Sequence, residues 1–333
     1  MKRLVIVGAG LIGSRHVRSV TQNPDCDLVG VVETDPARAA ALDVPVFGRI
    51  EDVEVAVDGA IIASPTPLHP DHVRAAAALG WDVLIEKPVA ETLADADALI
   101  ATVKKAKIAS LVGHHRRHHA SVARLREIVR GGRIGRPVLA SLIWAMKKPD
   151  AYFEGNWRSG GGGSPVMINL VHDIDLLRYL FGEVTAVTGV GSDAIRQSGR
   201  VESGAVALAF DSGVSATIAF ADTTPSPWGF EAGTGENPNI GRSGQNMMWI
   251  AGTEGGVAFP SLHVWSGAPD WSQAPESERI GAPATDPLAA QLKHFVEVME
   301  RRAEPLIDAA DARATLAVAL QIEDALGIAR AAA

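Results

Sequence analysis

"RLVIVGAGLIG", residues 3–13, decides how the rest of the chain is read. A short apolar run meets glycines at 8, 10 and 13, the G-x-G-x-x-G spacing, and a helical pattern follows. The first glycine permits a tight turn, the second lets backbone approach a pyrophosphate, and the third lets helix and strand pack closely. At such a junction the helix start, Leu11, Ile12 and Gly13, offers backbone N–H groups and a partial positive charge to phosphate oxygens. Glycine-rich turns are common, so the spacing alone is a weak signal. Its context strengthens it. Glu33 lies 20 residues beyond Gly13, at the end of the next apolar run in "VGVVETDP", where a carboxylate can take both ribose hydroxyls of a dinucleotide. A carboxylate there repels a 2'-phosphate and favours NAD over NADP; Arg38, close by in sequence, keeps NADP open.

Further apolar runs follow at 27–32, 59–63, 82–86 and 109–112, separated by alanine-rich helical patterns such as "HVRAAAALG" and "ADADALIATVKKAK". Strands alternating with helices imply crossover units and a parallel sheet covered on both faces. The expected fold class is α/β, with a doubly wound, Rossmann-type NAD(P)-binding domain over residues 1–119. Beyond about residue 120 the rhythm changes. "SVARLREIVRGGRIG" reads as a helix stopped by glycines, and "PVMINLVHDIDLLRYLFG" as another after the run Gly160–Gly163. Then "VTAVTGV", "GAVALAF", "GVSATIAF", "NMMWIAGT" and "GGVAFP" read as strands in succession. That pattern predicts a C-terminal α+β domain over 120–333 with a large, mostly antiparallel sheet for substrate binding and oligomerisation. A Gly-, Pro- and Asn-rich stretch at about 223–247, with Trp228, Glu231 and Asn237, reads either as a cover for an active site or as an interface loop. Helices around 286–302 and 308–330 close the chain and are free to pack back on the first domain.

The bulk numbers agree with two ordinary domains. The chain has 333 residues, 47% hydrophobic and 21% charged. A net charge of −8 argues against nucleic acid or an anionic membrane as partner. One cysteine, Cys26, allows no internal disulfide and no cysteine-rich metal framework. The apolar start resembles a secretion signal only superficially, because glycines break it and no cleavage site follows. No stretch approaches the roughly 20 apolar residues of a membrane span. A reducing cytoplasm is the expected compartment.

"ASPTPLHPDH", 63–72, leaves the fourth strand, so Ser64, Pro65, Thr66 and His69 face the expected cofactor crevice; Ser64 and Thr66 read equally well as helix caps. The next strand ends in "DVLIEKPVA", with Glu86, Lys87 and Pro88. Joined to the glycine turn and to "HDID" at 172–175, these segments resemble the Gfo/Idh/MocA family over nearly the whole chain. That family includes glucose–fructose oxidoreductase, inositol dehydrogenase and related NAD(P)-dependent dehydrogenases. The resemblance implies that Glu86 and Lys87 border the cofactor, that Lys87 reaches the reacting hydroxyl, and that the Lys87–Pro88 bond is cis. Lys87 by itself reads as a solvated lysine at a strand end.

In "PVMINLVHDIDLLRYL" apolar residues at 167, 170, 171, 174, 177 and 180 form one buried helical stripe, with His172 beside Ile168 and Asp175. A histidine can take a hydroxyl proton near neutral pH, although a lone helical histidine is often structural. The resemblance implies catalysis, through a match to the family's H-x-x-D at His172 and Asp175. Inositol dehydrogenases carry an aspartate four residues earlier, where this chain has Ile168, with Asn169 next to it as a substrate-side candidate. Either Asp173 or Asp175 then supports His172, or Lys87 carries more of the proton chemistry, or the substrate differs from inositol-type polyols.

"GHHRRHH", 113–119, offers i, i+4 histidine pairs (His114 with His118, His115 with His119), but it follows a strand, has no glutamate between the histidines and no third ligand. No metal is expected. The resemblance aligns the stretch with the family's G-[FH]-N-R-R-F segment and implies that His115 and Arg116 lie near nicotinamide and substrate, with His118 and His119 beginning a linking helix. Arg117, with Trp157 and Arg158 of "NWRSGG", completes the substrate-side candidates, and two such arginines would suit a carboxylate. The expected activity is hydride exchange between NAD and a carbinol of a sugar, sugar acid, inositol or cyclic diol. The alternatives are a cofactor-binding sensor without turnover, suggested by Ile168, and a metal-dependent hydrolase built on the histidine cluster. By resemblance the chain forms a dimer or tetramer.

Overall fold

The structure is a computed structural model that describes residues 1–153 and 164–328. Trp157, Arg158 and Gly160–Gly163 lie outside the described residues. The chain divides into two compact units, Met1–His118 with Asp286–Ala317, and His119–Thr285 with the segment from Val318.

The first unit is built on six parallel strands: β1 (Lys2–Val7), β2 (Cys26–Val32), β3 (Val46–Phe47), β4 (Gly59–Ile62), β5 (Asp82–Ile85) and β6 (Ser110–Val112). Their order is β3-β2-β1-β4-β5-β6, so the chain reverses direction across the sheet between β1 and β4. Helices α1 (Leu11–Thr21), α2 (Pro36–Ala40), α3 (His69–Ala78) and α4 (Leu93–Ala106) follow β1, β2, β4 and β5. The β1–α1–β2 step runs one way and the β4–α3–β5 step the other. Right-handed crossovers therefore put α1 and α3 on opposite faces. That explains the continuous apolar runs: Leu4, Val5, Ile6, Ala60, Ile61, Ile62, Val83, Leu84 and Ile85 are buried from both sides. Only the two-residue β3 escapes the sequence pattern, being too short to show one.

Register then brings distant residues together. Val7 is paired with Val32 and Ile62, Ile62 with Ile85, and Ile85 with Val112. The residues one step beyond, Glu33, Gly8, Ala63, Glu86 and Gly113, consequently stand side by side along the carboxyl edge. Backbone N–H bonds fix the row: Gly8 to Val32 O (2.8 Å), Ala63 to Val7 O (2.8 Å), Glu86 to Ile62 O (2.8 Å) and Gly113 to Ile85 O (2.7 Å). At about 4.8 Å per strand, the row spans about 19 Å.

The second unit opens with α5 (Ala120–Arg130), whose N-cap His119 accepts the Ser121 N–H at 3.2 Å. His115–His118 form a separate 3₁₀ turn, so only His119 belongs to the helix start. Next come β7 (Pro137–Met146), α6 (Val171–Phe181), β8 (Val184–Ser192), β9 (Ser203–Phe210), β10 (Ser215–Ala221), β11 (Pro225–Trp228), α7 (Phe230–Thr234), β12 (Met248–Gly252), β13 (Gly255–Phe259), β14 (His263–Ser266) and β15 (Glu276–Arg279). The sheet order is β15-β14-β13-β12-β7-β10-β9-β8 with β11 also on β7, and every pairing is antiparallel except β7 with β10. The central strand β7 is hidden in sequence because Leu139 and Ile143 on its outer face blur the alternation with Ala140, Leu142 and Trp144. The stretch at 223–247 contains β11 and α7 and is not a plain loop.

One face of this sheet (Leu142, Trp144, Leu208, Ile218, Phe220, Ile250) packs with Leu125 of α5 and Ile174 and Leu177 of α6 in a single core. On the opposite face, register aligns Thr188, Ala207, Thr217, Ser141 and Trp249 in one rung of mostly small side chains. The chain closes with α8 (Pro287–Met299), which packs on α1 in the first unit, and α9 (Ala309–Ala325), which continues from the first unit into the second. Among the described residues no helix is long and apolar enough to cross a membrane.

Candidate cofactor site and catalytic residues

The glycine turn has no room for side chains where β1 and β4 end. Gly8 has φ +94°, and a Cβ there would stand 2.9 Å from the Ala63 carbonyl oxygen and the Ser64 nitrogen. A Cβ on Gly13 would overlap the Gly8 carbonyl oxygen. Gly10 is the N-cap of α1 and supplies no side-chain cap, so the first-turn donors at Leu11 and Ile12 are left for an anion. Close backbone approach and an uncapped helix start fit a pyrophosphate.

Glu33 is nearly buried and already braces this turn. Its Oε2 accepts the Ala9 N–H and its Oε1 the Asp35 N–H, both at 2.8 Å. A carboxylate has about four acceptor sites, so capacity for ribose hydroxyls remains. Arg38 lies above the turn, its Nη1 3.8 Å from Glu33 Oε2 and 3.7 Å from where a Gly10 Cβ would be, with Nη2 on Asp35 at 3.0 Å.

At the β4 exit, Pro65 and Thr66 enter a short 3₁₀ turn, and the N-cap of α3 is Leu68 without a side-chain bond, so neither Ser64 nor Thr66 caps the helix. Ser64 Oγ is hydrogen-bonded to His72 Nδ1 at 2.8 Å. The buried His69 ring lies 2.9 Å from Ser64 O and 3.3 Å from Val89 O, tying the β4 exit to the segment after β5. Burial lowers its pKa despite those carbonyls.

Glu86 ends β5 fully inside the protein. Its Oε1 accepts from His16 Nε2 at 2.8 Å and its Oε2 from the Lys87 N–H at 3.1 Å. Burial alone would push this carboxyl up; the His16 hydrogen bond and the charges of His16, His115 and Lys87 outweigh it and hold the pKa at about 2. Lys87 follows, partly buried, through a cis peptide to Pro88. His115 and Arg116 are buried in the turn after β6. Arg117 is spent inside its own unit, on Asp311 Oδ2 at 2.6 Å and Leu306 O at 3.1 Å. His118 packs its ring against His294 at 5.2 Å. Among the described residues, no three His, Cys, Asp or Glu side chains are grouped as metal ligands.

In the second unit, Val166–Leu170 form a π turn that leads into α6. Ser164 anchors it, donating to Glu323 Oε1 at 2.6 Å and accepting the Met167 N–H at 3.3 Å. His172, Asp173 and Asp175 are all buried in the first turns of α6. The side-chain oxygen of Asn169 is buried and has no hydrogen-bond partner among the described residues.

The two halves of the chain match known domains. Residues 2–114 match the family model described as oxidoreductase family, NAD-binding Rossmann fold, and residues 122–258 match the GFO/IDH/MocA C-terminal domain. The chain belongs to the GFO/IDH/MocA oxidoreductase family. Among its relatives, inositol 2-dehydrogenase of Rhizobium meliloti is 28% identical, covering 95% of this chain and 94% of that protein. 1,5-Anhydro-D-fructose reductase of Ensifer adhaerens is 30% identical over 73% of this chain and 76% of its own. In fold, the chain is similar to an Agrobacterium radiobacter oxidoreductase solved with NAD, L-tartaric acid and magnesium (TM-score 0.81, 15% identity, covering 99% of this chain and 97% of that one). Membership in this family makes the chain an oxidoreductase with an NAD-binding domain and sets aside the cofactor-binding sensor.

His16 and Gly113 belong to the site without being marked by any motif. A signal existed for His16: on α1 it shares the buried stripe Gly13–His16–Val20, where an apolar residue belongs. For Gly113 no local pattern carried one.

Proposed function

We propose that this GFO/IDH/MocA protein reversibly oxidises a carbinol of a sugar, sugar acid, inositol or related cyclic polyol or diol to a ketone or lactone. NAD, when bound, supplies the hydride acceptor. Gly8, Gly10 and Gly13 with the start of α1 hold the pyrophosphate and Glu33 the ribose; Ser64, Pro65, Thr66 and His69 shape the neighbouring turn. Lys87 orients and polarises the substrate oxygen, and His172 exchanges its proton. His115, Arg116, Trp157, Arg158 and Asn169 are assigned to the substrate side. With NAD the preferred cofactor, Arg38 leaves NADP usable.

The observation that carries the reading is the carboxyl-edge row, which seats Lys87 one residue beyond Glu86, two strands from the phosphate turn. The activities named for the inositol and anhydrofructose relatives support the substrate class. Arg117 is engaged by Asp311, which argues against it as a partner for a substrate carboxylate.

We further take residues 1–119 as the cofactor domain and 120 onward as the substrate domain, with Asp286–Ala317 packing back on the first, and the working form as a cytoplasmic homo-oligomer, dimer or tetramer. The open face of the second sheet, with Leu139, Val190 and Trp249 exposed on it, supports a self-association surface; the single buried thiol Cys26 agrees with a reducing compartment.

The test is a panel of sugars, sugar acids, inositols and cyclic diols with NAD or NADP, followed by reduced-nicotinamide absorbance. Turnover should appear with at least one substrate and drop by about 100-fold or more in Lys87→Ala and His172→Ala. Full activity in Lys87→Ala overturns the mechanism, and NAD binding without turnover across the panel overturns the assignment.

A further inference from the structure

Glu86 sits in the carboxyl-edge row between Ala63 and Gly113, yet its carboxyl group is buried. A buried carboxylate is costly unless it is paired and hydrogen-bonded. Three elements meet it here: His16 from α1, His115 from the turn after β6, and Lys87 from its own strand exit. Gly113 provides the seat, since a Cβ there would lie 2.9 Å from the Glu86 carboxyl carbon and both oxygens. His16 follows Gly13 by one helical turn, so the helix whose start faces the pyrophosphate also grips the residue preceding Lys87.

We propose that Glu86 and His16 are a positioning pair for Lys87. The buried carboxylate fixes the lysine backbone through its N–H and sustains the ammonium charge, while His16 fixes the carboxylate from the phosphate-binding helix. Seating of the dinucleotide on α1 and placement of Lys87 are thereby linked through one hydrogen bond. The inference rests on Lys87 as the group that meets the substrate hydroxyl, and it assigns Gly113 the role of making room for the carboxylate.

The experiment reads Lys87 directly, without substrate. Lysines of the full-length protein are 13C-dimethylated, the Lys87 resonance is assigned by its loss in Lys87→Arg, and its titration is followed by NMR. In Glu86→Gln the Lys87 titration should move down, because an opposite charge that acts on Lys87 has been removed. Gly113→Ala, which displaces the carboxylate, should move it the same way, and Glu86→Asp should recover part of the shift. NAD affinity is measured by calorimetry on the same variants. If Glu86→Gln does not fold, Gly113→Ala gives the same reading. An unmoved Lys87 titration in the folded variants overturns the proposal, as does a parallel loss of NAD affinity and thermal stability with no change at Lys87. Full turnover in Lys87→Ala would overturn the catalytic reading alone and leave the titration result standing, so the two failures are distinguishable.

Discussion

Lys148→Met should stabilise this protein at neutral pH, and the gain should vanish in alkali. Lys148 follows β7, and its Nζ is buried with no hydrogen-bond partner among the described residues, 5.5 Å from the Trp144 ring centre, 5.1 Å from Tyr152 and 6.0 Å from Phe153. Its nearest carboxylate oxygen, Asp222 Oδ2, is 3.9 Å away and already accepts from Arg200 at 2.9 Å, while Oδ1 accepts from Arg196 at 2.5 Å. Burial, aided by the two arginines and opposed by Asp222 and Glu231, brings the Lys148 pKa from 10.5 down to about 8. At about 1.4 kcal/mol per pH unit, the fold disfavours the ammonium by roughly 3 kcal/mol. Because the folded value is the lower one, this penalty is absent above 10.5, grows as pH falls toward 8, and is complete below 8. Methionine keeps the stem without the charge, and loss of the ring contacts returns about 1 kcal/mol. The net expectation is a gain of about 2 kcal/mol at pH 7, or roughly 4–8 °C in Tm for a domain of this size. Urea titrations of both proteins from pH 7 to 10.5, read by tryptophan fluorescence, measure it. A variant less stable at pH 7, or a difference that stays constant over that range, refutes the reasoning.

Three other perturbations bear on the candidate site and its unit. Gly13→Ala forces a methyl group into the Gly8 carbonyl; calorimetry should show NAD affinity falling by about tenfold or more, with a lower Tm. Glu33→Ser removes the carboxylate that repels a 2'-phosphate, so the NADP-to-NAD ratio of kcat/KM should rise by about tenfold, about 1.4 kcal/mol, and Arg38→Ala in that background should reverse the gain. Arg117→Met removes the ion pair to Asp311 and the bond to the Leu306 carbonyl; with the Asp311 side chain partly exposed, urea unfolding should register a loss of about 1–2 kcal/mol, with no change in cofactor preference.

Several substrate-side residues were visible as residue types before their surroundings were. "GHHRRHH" stands out in sequence, yet the structure gives its members separate tasks: Gly113 makes room for Glu86, Arg117 is held by Asp311, His118 lies on His294, and His119 caps α5. Those partners come from segments up to nearly two hundred residues away, beyond the reach of any local pattern. The opposite holds for Gly10 and Gly13, whose roles follow from helix capping and a Cβ clash within a few residues, while Gly8 joins its own φ of +94° to a clash with Ala63 and Ser64 brought in by β4.

What the sequence by itself determined is therefore what short-range physics controls: alternation of buried strands with helices, the glycine turn at the first crossover, the acid after β2 and the Glu-Lys-Pro exit of β5. Tertiary structure alone decided the rest. Parallel register set Glu33, Gly8, Ala63, Glu86 and Gly113 in one row, packing of α1 brought His16 to Glu86, and the second sheet enclosed Lys148 between aromatic rings and two arginines. Each of these depends on which chain segments become neighbours in space, and burial then sets the charge state of the groups they enclose.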